Sequence, residues 1–288
     1  MKVAHSPDEL EAVERAVAIG SFDGVHLGHR RVLEVAHSAG THATVVTFWP
    51  HPRLVLGNQV ELLSTLERRL ELFEEAGMDD VLVVEFTAEL AGSEPAEFAE
   101  TILRPIHTRV VVAGENFRFG RGAVGRPSLL AELGFDVRTV PILGDISSTR
   151  IRECLRAGEI EAAARMLGRP PEIEGTVMPG FQRGGTLGYP TANLAVPPNL
   201  LVPGYGIYAG ATLGHRAAIS IGVNPHYGGN ERSIEPYLLD FDGDLYGRRL
   251  VVELWRRLRD ERAFSNESEL IAQIARDVEE TRAAQPPV

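Results

Sequence analysis

The chain has a single cysteine, Cys154, among its 288 residues, so no internal disulfide can form. A small disulfide-stapled secreted scaffold is thereby excluded, and a reducing compartment is expected. Cys154 itself reads as a small apolar helix residue. No uninterrupted run of about 18 apolar residues occurs, so no stretch has the length of a membrane-crossing helix. No charged-then-apolar targeting segment opens the sequence, and a soluble, cytoplasmic protein is expected. Internal repeats and low-complexity tracts are also missing. Positive charge is in deficit, with 29 Lys and Arg against 40 Asp and Glu and a formal net charge of -11. That balance disfavours a broad nucleic-acid or acidic-membrane surface but leaves room for a local basic pocket. The expected partners are therefore small phosphorylated molecules, with no nucleic acid and no membrane.

What is present describes an ordinary globular chain, with 44% hydrophobic and 24% charged residues. Its length exceeds the usual single domain, so two cores are expected. Up to Gly168, β-branched runs alternate with helical stretches, which predicts a parallel sheet flanked by helices. Strands are predicted at Val17–Gly20, Ala43–Phe48, Val81–Glu85, Arg109–Ala113 and Asp136–Val140, with helices at Arg30–Ser38, Leu66–Glu75, Pro95–Leu103 and Pro127–Leu133. Right-handed crossovers would gather the strand C-terminal ends at one edge, where open α/β sheets bind ligands. Four polar or glycine-rich segments fall there: SFDGVHLGH, WPHPR, GENFRFG and GDISSTR.

Two further helices are predicted at Thr149–Arg156 and Glu159–Met166. LGRPPEIEG then breaks the pattern and marks the expected boundary between residues 1–168 and 169–288. Beyond it, short alternating runs separated by Gly, Pro and Asn predict an antiparallel sheet closed as a small barrel. These runs are Ile173–Met178, Ile207–Leu213, Arg216–Val223, Ile234–Phe241 and Arg249–Leu258. A last helix, Glu267–Arg282, is expected to pack on the barrel through Leu270, Ile271, Ile274, Ala275 and Val278.

The segment AIGSFDGVHLGHRRVLEVA, beginning at Ala18, reads as a buried strand end, a tight turn and a helix. Gly20 and Gly24 permit close backbone approach around Phe22, and the helix start offers unpaired N–H groups to anionic oxygens. His26 and His29 add side-chain donors for a triphosphate. Two histidines at this spacing could also ligate a metal or face solvent, although no third ligand of suitable spacing accompanies them. ISSTRIR, from Ile146 to Arg152, brings three hydroxyls and two arginines to another helix start, where Ser147, Ser148 and Thr149 could equally be caps. Phe117 and Phe119 read as core aromatics. In GTLGYPTANL, Pro190 fixes the backbone beside Thr191 and Asn193. Residues separated by one other on extended chain point to one side, and their oxygens suit Mg²⁺. A proline turn with an Asx cap is the plainer alternative.

HxGH and ISSTxxR together resemble the signatures of the nucleotidylyltransferase superfamily. GSFDGVHLGH, TFWPHPR, GENFRFG, ISSTRIR and the trailing LGRP resemble, in order over residues 16–170, the adenylyltransferase half of the prokaryotic bifunctional riboflavin kinase and FAD synthetase family. GTV, RGGTLGYPTANL, GIYAG, IGVNPHY, IEPYLLDFDGDLYG and LRDERAFSNESELIAQIARD resemble its flavokinase half over residues 175–278. The resemblance implies a Rossmann-like α/β domain followed by a small antiparallel β-barrel with a C-terminal helix. It further implies two ATP- and Mg²⁺-dependent transfers, riboflavin to FMN and FMN to FAD. On matching motif positions, Gly20, Phe22, Gly24, His26, His29, Ser147, Ser148, Thr149 and Arg152 would serve ATP in the first transfer site, with Asn116 near the reacting groups. Gly188, Thr191 and Asn193 would hold ATP and metal in the second, where Glu235 would accept the riboflavin hydroxyl proton. The chain departs from the family at Gly125–Arg126, where Gly-Asp is usual, at Gly185, where arginine is common, and at His226, where PTF is common. The last two favour an alternative in which the barrel binds flavin without kinase activity. Another acceptor for the first site, such as a phosphopantetheine, would leave the barrel motifs unexplained.

Overall fold

A computed structural model describes residues 1–179, 188–224 and 231–288. The chain divides into two compact units, Met1–Ser148 and Thr149–Val288.

The first unit holds six strands: β1 (Lys2–Ala4), β2 (Arg15–Ile19), β3 (His42–Trp49), β4 (Asp80–Glu85), β5 (Thr108–Gly114) and β6 (Asp136–Val140). Every pairing is parallel, and the strand order is β1-β4-β3-β2-β5-β6. The chain runs outward from β2 in one direction through β3 and β4, then returns to β5 on the other side of β2. That reversal creates a crevice at the carboxyl ends of β2 and β5. The period-2 alternation of buried strands divides their side chains between two cores. Ala16, Ala18, Val110 and Val112 face one, whereas Val17, Ile19, Val111 and Ala113 face the other.

Helices α1 (Leu27–His37), α2 (Pro52–Val55), α3 (Leu66–Glu75), α4 (Ala88–Gly92), α5 (Pro95–Phe98) and α6 (Pro127–Glu132) join the strands. Leu33 of α1 and Phe73 of α3 pack on the first face. Phe98 and Leu130 pack on the second. The helix expected over Pro95–Leu103 changes to a wider π turn at Ala99–Leu103. The extra residue lets Phe98 and Leu103, five positions apart, enter the same core. β1 escaped sequence detection because three residues are too few to show a period.

The second unit starts with α7, whose helix (Ser148–Ala157) begins at the last residue of the first unit, and α8 (Ile160–Leu167). It continues with β7 (Glu172–Met178), β8 (Asn193–Ala195), β9 (Gly206–Thr212), β10 (His215–Asn224), β11 (Glu231–Leu238) and β12 (Arg249–Arg259), and ends on α9 (Glu267–Ala283). All strands pair antiparallel in the order β11-β10-β9-β12-β7-β8.

The barrel expected from sequence is not closed by a ladder. Its two edge strands meet through Ala192 N–H, which donates to Pro236 O at 2.9 Å. The N and C=O of one strand residue face the same edge. Pro236 therefore presents its missing donor where the reciprocal bond would form.

The last helix also differs from expectation. Ile271 is exposed, whereas Gln273, Asp277, Val278 and Thr281 are the buried positions. A polar stripe faces inward because Asp277 accepts a two-pronged contact from Arg259, at 3.0 and 2.7 Å, and a bond from Gln273 at 2.8 Å.

Candidate active sites

The loop between β2 and α1 is the centre of the first site. Its backbone is unusual: Phe22 and Val25 have φ of 49° and 40°, and Gly24 lies at 81°. Side-chain-bearing residues in this region cost about 1–3 kcal/mol each and persist only where neighbours fix them. Phe22 is buried and meets Phe73 edge-on at 5.5 Å and His29 at 5.3 Å. The Asp23 carboxylate accepts from Leu63 N at 2.9 Å and Ser64 N at 3.3 Å. Gly24 N donates to Ser64 Oγ at 3.1 Å.

His26 caps α1, its Nδ1 accepting from His29 N at 3.3 Å. Nε2 therefore carries the proton of the neutral ring and is the nitrogen able to donate. The His26 and His29 rings stack at 3.6 Å. A Cβ at Gly28 would lie 3.1 Å from the His26 ring, so glycine there leaves the ring room. Burial pushes the His29 imidazole well below its ordinary value, and the neighbouring His26 and Arg69 push the same way. Its Nδ1 is buried without a hydrogen-bond partner among the described residues.

Ser148 Oγ donates to Asp23 O at 3.0 Å, which brings the hydroxyl segment to the loop that carries the two histidines. Ser147 is exposed. Thr149 and Arg152 follow on α7, Thr149 exposed and Arg152 buried.

Beside this loop lies a cavity of about 660 Å³ whose walls include Ser21, Phe48, Phe86, Asn116, Phe117 and Phe119. Its size and apolar walls with a few polar groups suit a ring system carrying a polar tail. Asn116 is exposed at the cavity mouth, its Oδ1 lying over Gly114, where a Cβ would approach to 3.1 Å. Phe117 and Phe119 stack at 5.6 Å. Phe119 belongs to the core, as expected, and it also lines the cavity together with Phe117. Sequence reasoning missed Phe86 and Phe98 as cavity walls, because nothing local distinguishes a core aromatic from one facing a hollow.

In the second unit a cavity of about 230 Å³ is lined by Pro190, Thr191, Phe241, Asp242 and Asp244. Thr191 Oγ1 donates to Glu235 Oε2 at 3.3 Å, so the expected hydroxyl and carboxylate do meet. Asn193 opens β8 opposite Met178 and is half-buried. Gly188 sits at φ 82° in the approach to Pro190. The Thr191 hydroxyl and the Asn193 amide oxygen are hard-oxygen donors of the kind that suits Mg²⁺ accompanied by phosphates. Gly185 and His226 lie outside the described residues.

Two families match the chain. FAD synthetase covers residues 9–153, and riboflavin kinase covers residues 167–285. The fold and the two sites thus define a double transferase, a nucleotidyltransferase joined to a kinase. Proteins named bifunctional riboflavin kinase/FMN adenylyltransferase are similar along nearly the whole chain. The one from Listeria monocytogenes is 37% identical, covering 96% of this chain and 94% of its own. The one from Escherichia coli is 34% identical, covering 91% and 90%. The chain belongs to the bifunctional riboflavin kinase/FMN adenylyltransferase family. A solved structure from Streptococcus pneumoniae, described as a macrolide-efflux protein, is similar at TM-score 0.87 and 28% identity, covering 97% of this chain and 98% of that one. Among the described residues no helix is long and apolar enough to cross a membrane.

Proposed function

We propose that the chain phosphorylates riboflavin to FMN in residues 169–288 and adenylylates FMN to FAD in residues 1–168, using ATP in both steps. In the first reaction the riboflavin 5'-hydroxyl oxygen bonds to the γ-phosphorus of ATP, ADP leaves, and Glu235 takes the proton. Thr191 and Asn193 hold Mg²⁺, which when bound neutralises phosphate charge. Gly188 gives the nucleotide backbone room. In the second reaction an oxygen of the FMN phosphate bonds to the α-phosphorus of ATP, and pyrophosphate leaves. His26, His29, Ser147, Ser148, Thr149 and Arg152 hold the triphosphate around Gly20, Phe22 and Gly24, while Asn116 orients the reacting phosphate.

The observation that carries the adenylyl-transfer reading is the Ser148–Asp23 contact, because it ties the hydroxyl segment to the histidine loop beside a flavin-sized cavity. The Thr191–Glu235 contact supports kinase chemistry over flavin binding alone. The free, buried Cys154 supports a cytoplasmic setting. Riboflavin, Mg²⁺ and ATP supplied to the purified chain should yield FMN and then FAD. Failure to form FAD when FMN is supplied would end this account of the first site.

A further inference from the structure

We infer that Arg69 is a positioning residue for adenylyl transfer, holding the Ser21–Val25 loop in its strained form through a guanidinium fork. The inference rests on the proposed reaction at the first site. Arg69 lies on α3, outside every motif of that site, and is fully buried. Its Nη1 donates to Ser21 O at 2.8 Å, and its Nη2 to Ser64 O at 3.4 Å. Nη2 also faces Asp23 Oδ1 at 3.5 Å. The guanidinium lies over the Trp49 ring at 5.7 Å. One side chain therefore joins the end of β3, the segment before α3 and the nucleotide loop. A planar fork with several donors serves this purpose, whereas an ammonium is a single point charge.

The burial of an arginine needs a reason. Burial pulls its guanidinium below the ordinary value, and Asp23 works in the opposite direction. Nε has no hydrogen-bond partner among the described residues. A buried arginine with an unmet donor is poor value for stability alone, since apolar replacements of buried ion pairs are often neutral or better. It is suited to fixing a conformation that the loop would not hold unaided. Phe22 and Val25 lie at positive φ on either side of Asp23, and Asp23 O is the acceptor for Ser148. Releasing Arg69 would free both the loop and the anchor of the hydroxyl segment. The groups facing His29 are His26, stacked on it, and the Arg69 charge. Asp23 stands behind Arg69 as its counter-charge.

The test compares Arg69→Met and Arg69→Lys in the full chain. Arg69→Met should lower kcat for FAD formation about 10–100-fold and raise KM for ATP, with riboflavin phosphorylation unchanged as the internal control of folding. Arg69→Lys should recover only part of the loss, because one ammonium cannot reproduce the fork. Amide exchange at Gly24 and Val25 should quicken in both variants. This readout needs no turnover, so it tests the loop even if the wild-type chain fails to adenylylate FMN. If Arg69→Met abolishes both activities, Arg69→Lys decides. A lysine variant with wild-type kcat, wild-type KM for ATP and unchanged exchange would overturn the inference, as would the same result for Arg69→Met.

Discussion

Ser148 Oγ donates to the backbone carbonyl of Asp23 at 3.0 Å, so the last residue of the first unit is tied to the loop that presents His26 and His29. Asp23 has a second role through its carboxylate, which gathers Leu63 N and Ser64 N. A single residue thus relates three segments distant in sequence, and the first prediction concerns its partner. Ser148→Ala should lower FAD formation about tenfold, equivalent to about 1.4 kcal/mol, and leave riboflavin phosphorylation intact. Steady-state assay of both products from one preparation checks it, and an unchanged FAD rate would contradict it.

The Thr191–Glu235 pair predicts the opposite division of effects. Glu235→Gln keeps the shape and a hydrogen-bonding group but removes the proton acceptor. Riboflavin phosphorylation should fall about 100-fold or more, while FMN supplied directly should still be converted to FAD. A variant that phosphorylates at the wild-type rate would remove Glu235 from the chemistry.

Gly24 is constrained twice, by its φ of 81° and by Leu63, whose Cδ1 would lie 2.8 Å from an added Cβ. Gly24→Ala should destabilise the first unit by about 1–3 kcal/mol, seen as a lower urea midpoint. A change within about 0.5 kcal/mol would mean that the loop relaxes freely.

The cavity aromatics predict a binding effect. Phe117→Ala removes the ring stacked on Phe119 and one wall of the cavity. KM for FMN should rise about 2- to 13-fold, as expected for losing an aromatic contact worth about 0.5–1.5 kcal/mol, with kcat less affected. An unchanged KM would place the flavin ring elsewhere.

His29 makes stability depend on pH in a definite direction. Its folded-state value lies well below the ordinary one because of burial, His26 and Arg69. As pH falls through the ordinary histidine value of about 6.5, the unfolded chain takes up a proton that the folded chain refuses. The unfolded state then binds more protons, so stability falls with acidification. The urea midpoint should decrease between about pH 7 and pH 5.5, and less steeply in His29→Gln. Equal slopes would mean that His29 titrates alike in both states.

Local pattern made the architecture of the first unit legible. Val-rich runs flanked by turns gave the buried parallel strands, and α3 has the bounds predicted from its periodicity, Leu66–Glu75. The motif order also pointed to the candidate site loops, because short glycine-containing turns at strand ends of an open α/β sheet lie where ligands bind. Thr191 was legible from the backbone that Pro190 fixes beside it, whereas Glu235 came only from the family resemblance.

What depended on distant residues was not legible. Arg69 sits in an ordinary charged helix sequence, and only the fold shows that its fork reaches Ser21. On α9, Val278 is buried as expected, but the polar positions of the buried face were not legible, because apolar periodicity cannot anticipate that Arg259, on a strand, draws Asp277 inward. The sequence by itself determined that a parallel sheet precedes an antiparallel one, and most of their strands and helices, since these follow from local periodicity and turn chemistry. Only the tertiary structure decided the cavity lined by Phe117 and Phe119, the open edge at Pro236 and the network joining Arg69, Asp23 and Ser148. Each of those depends on which remote backbone groups and side chains meet, and pairing across long stretches of chain leaves no period to read.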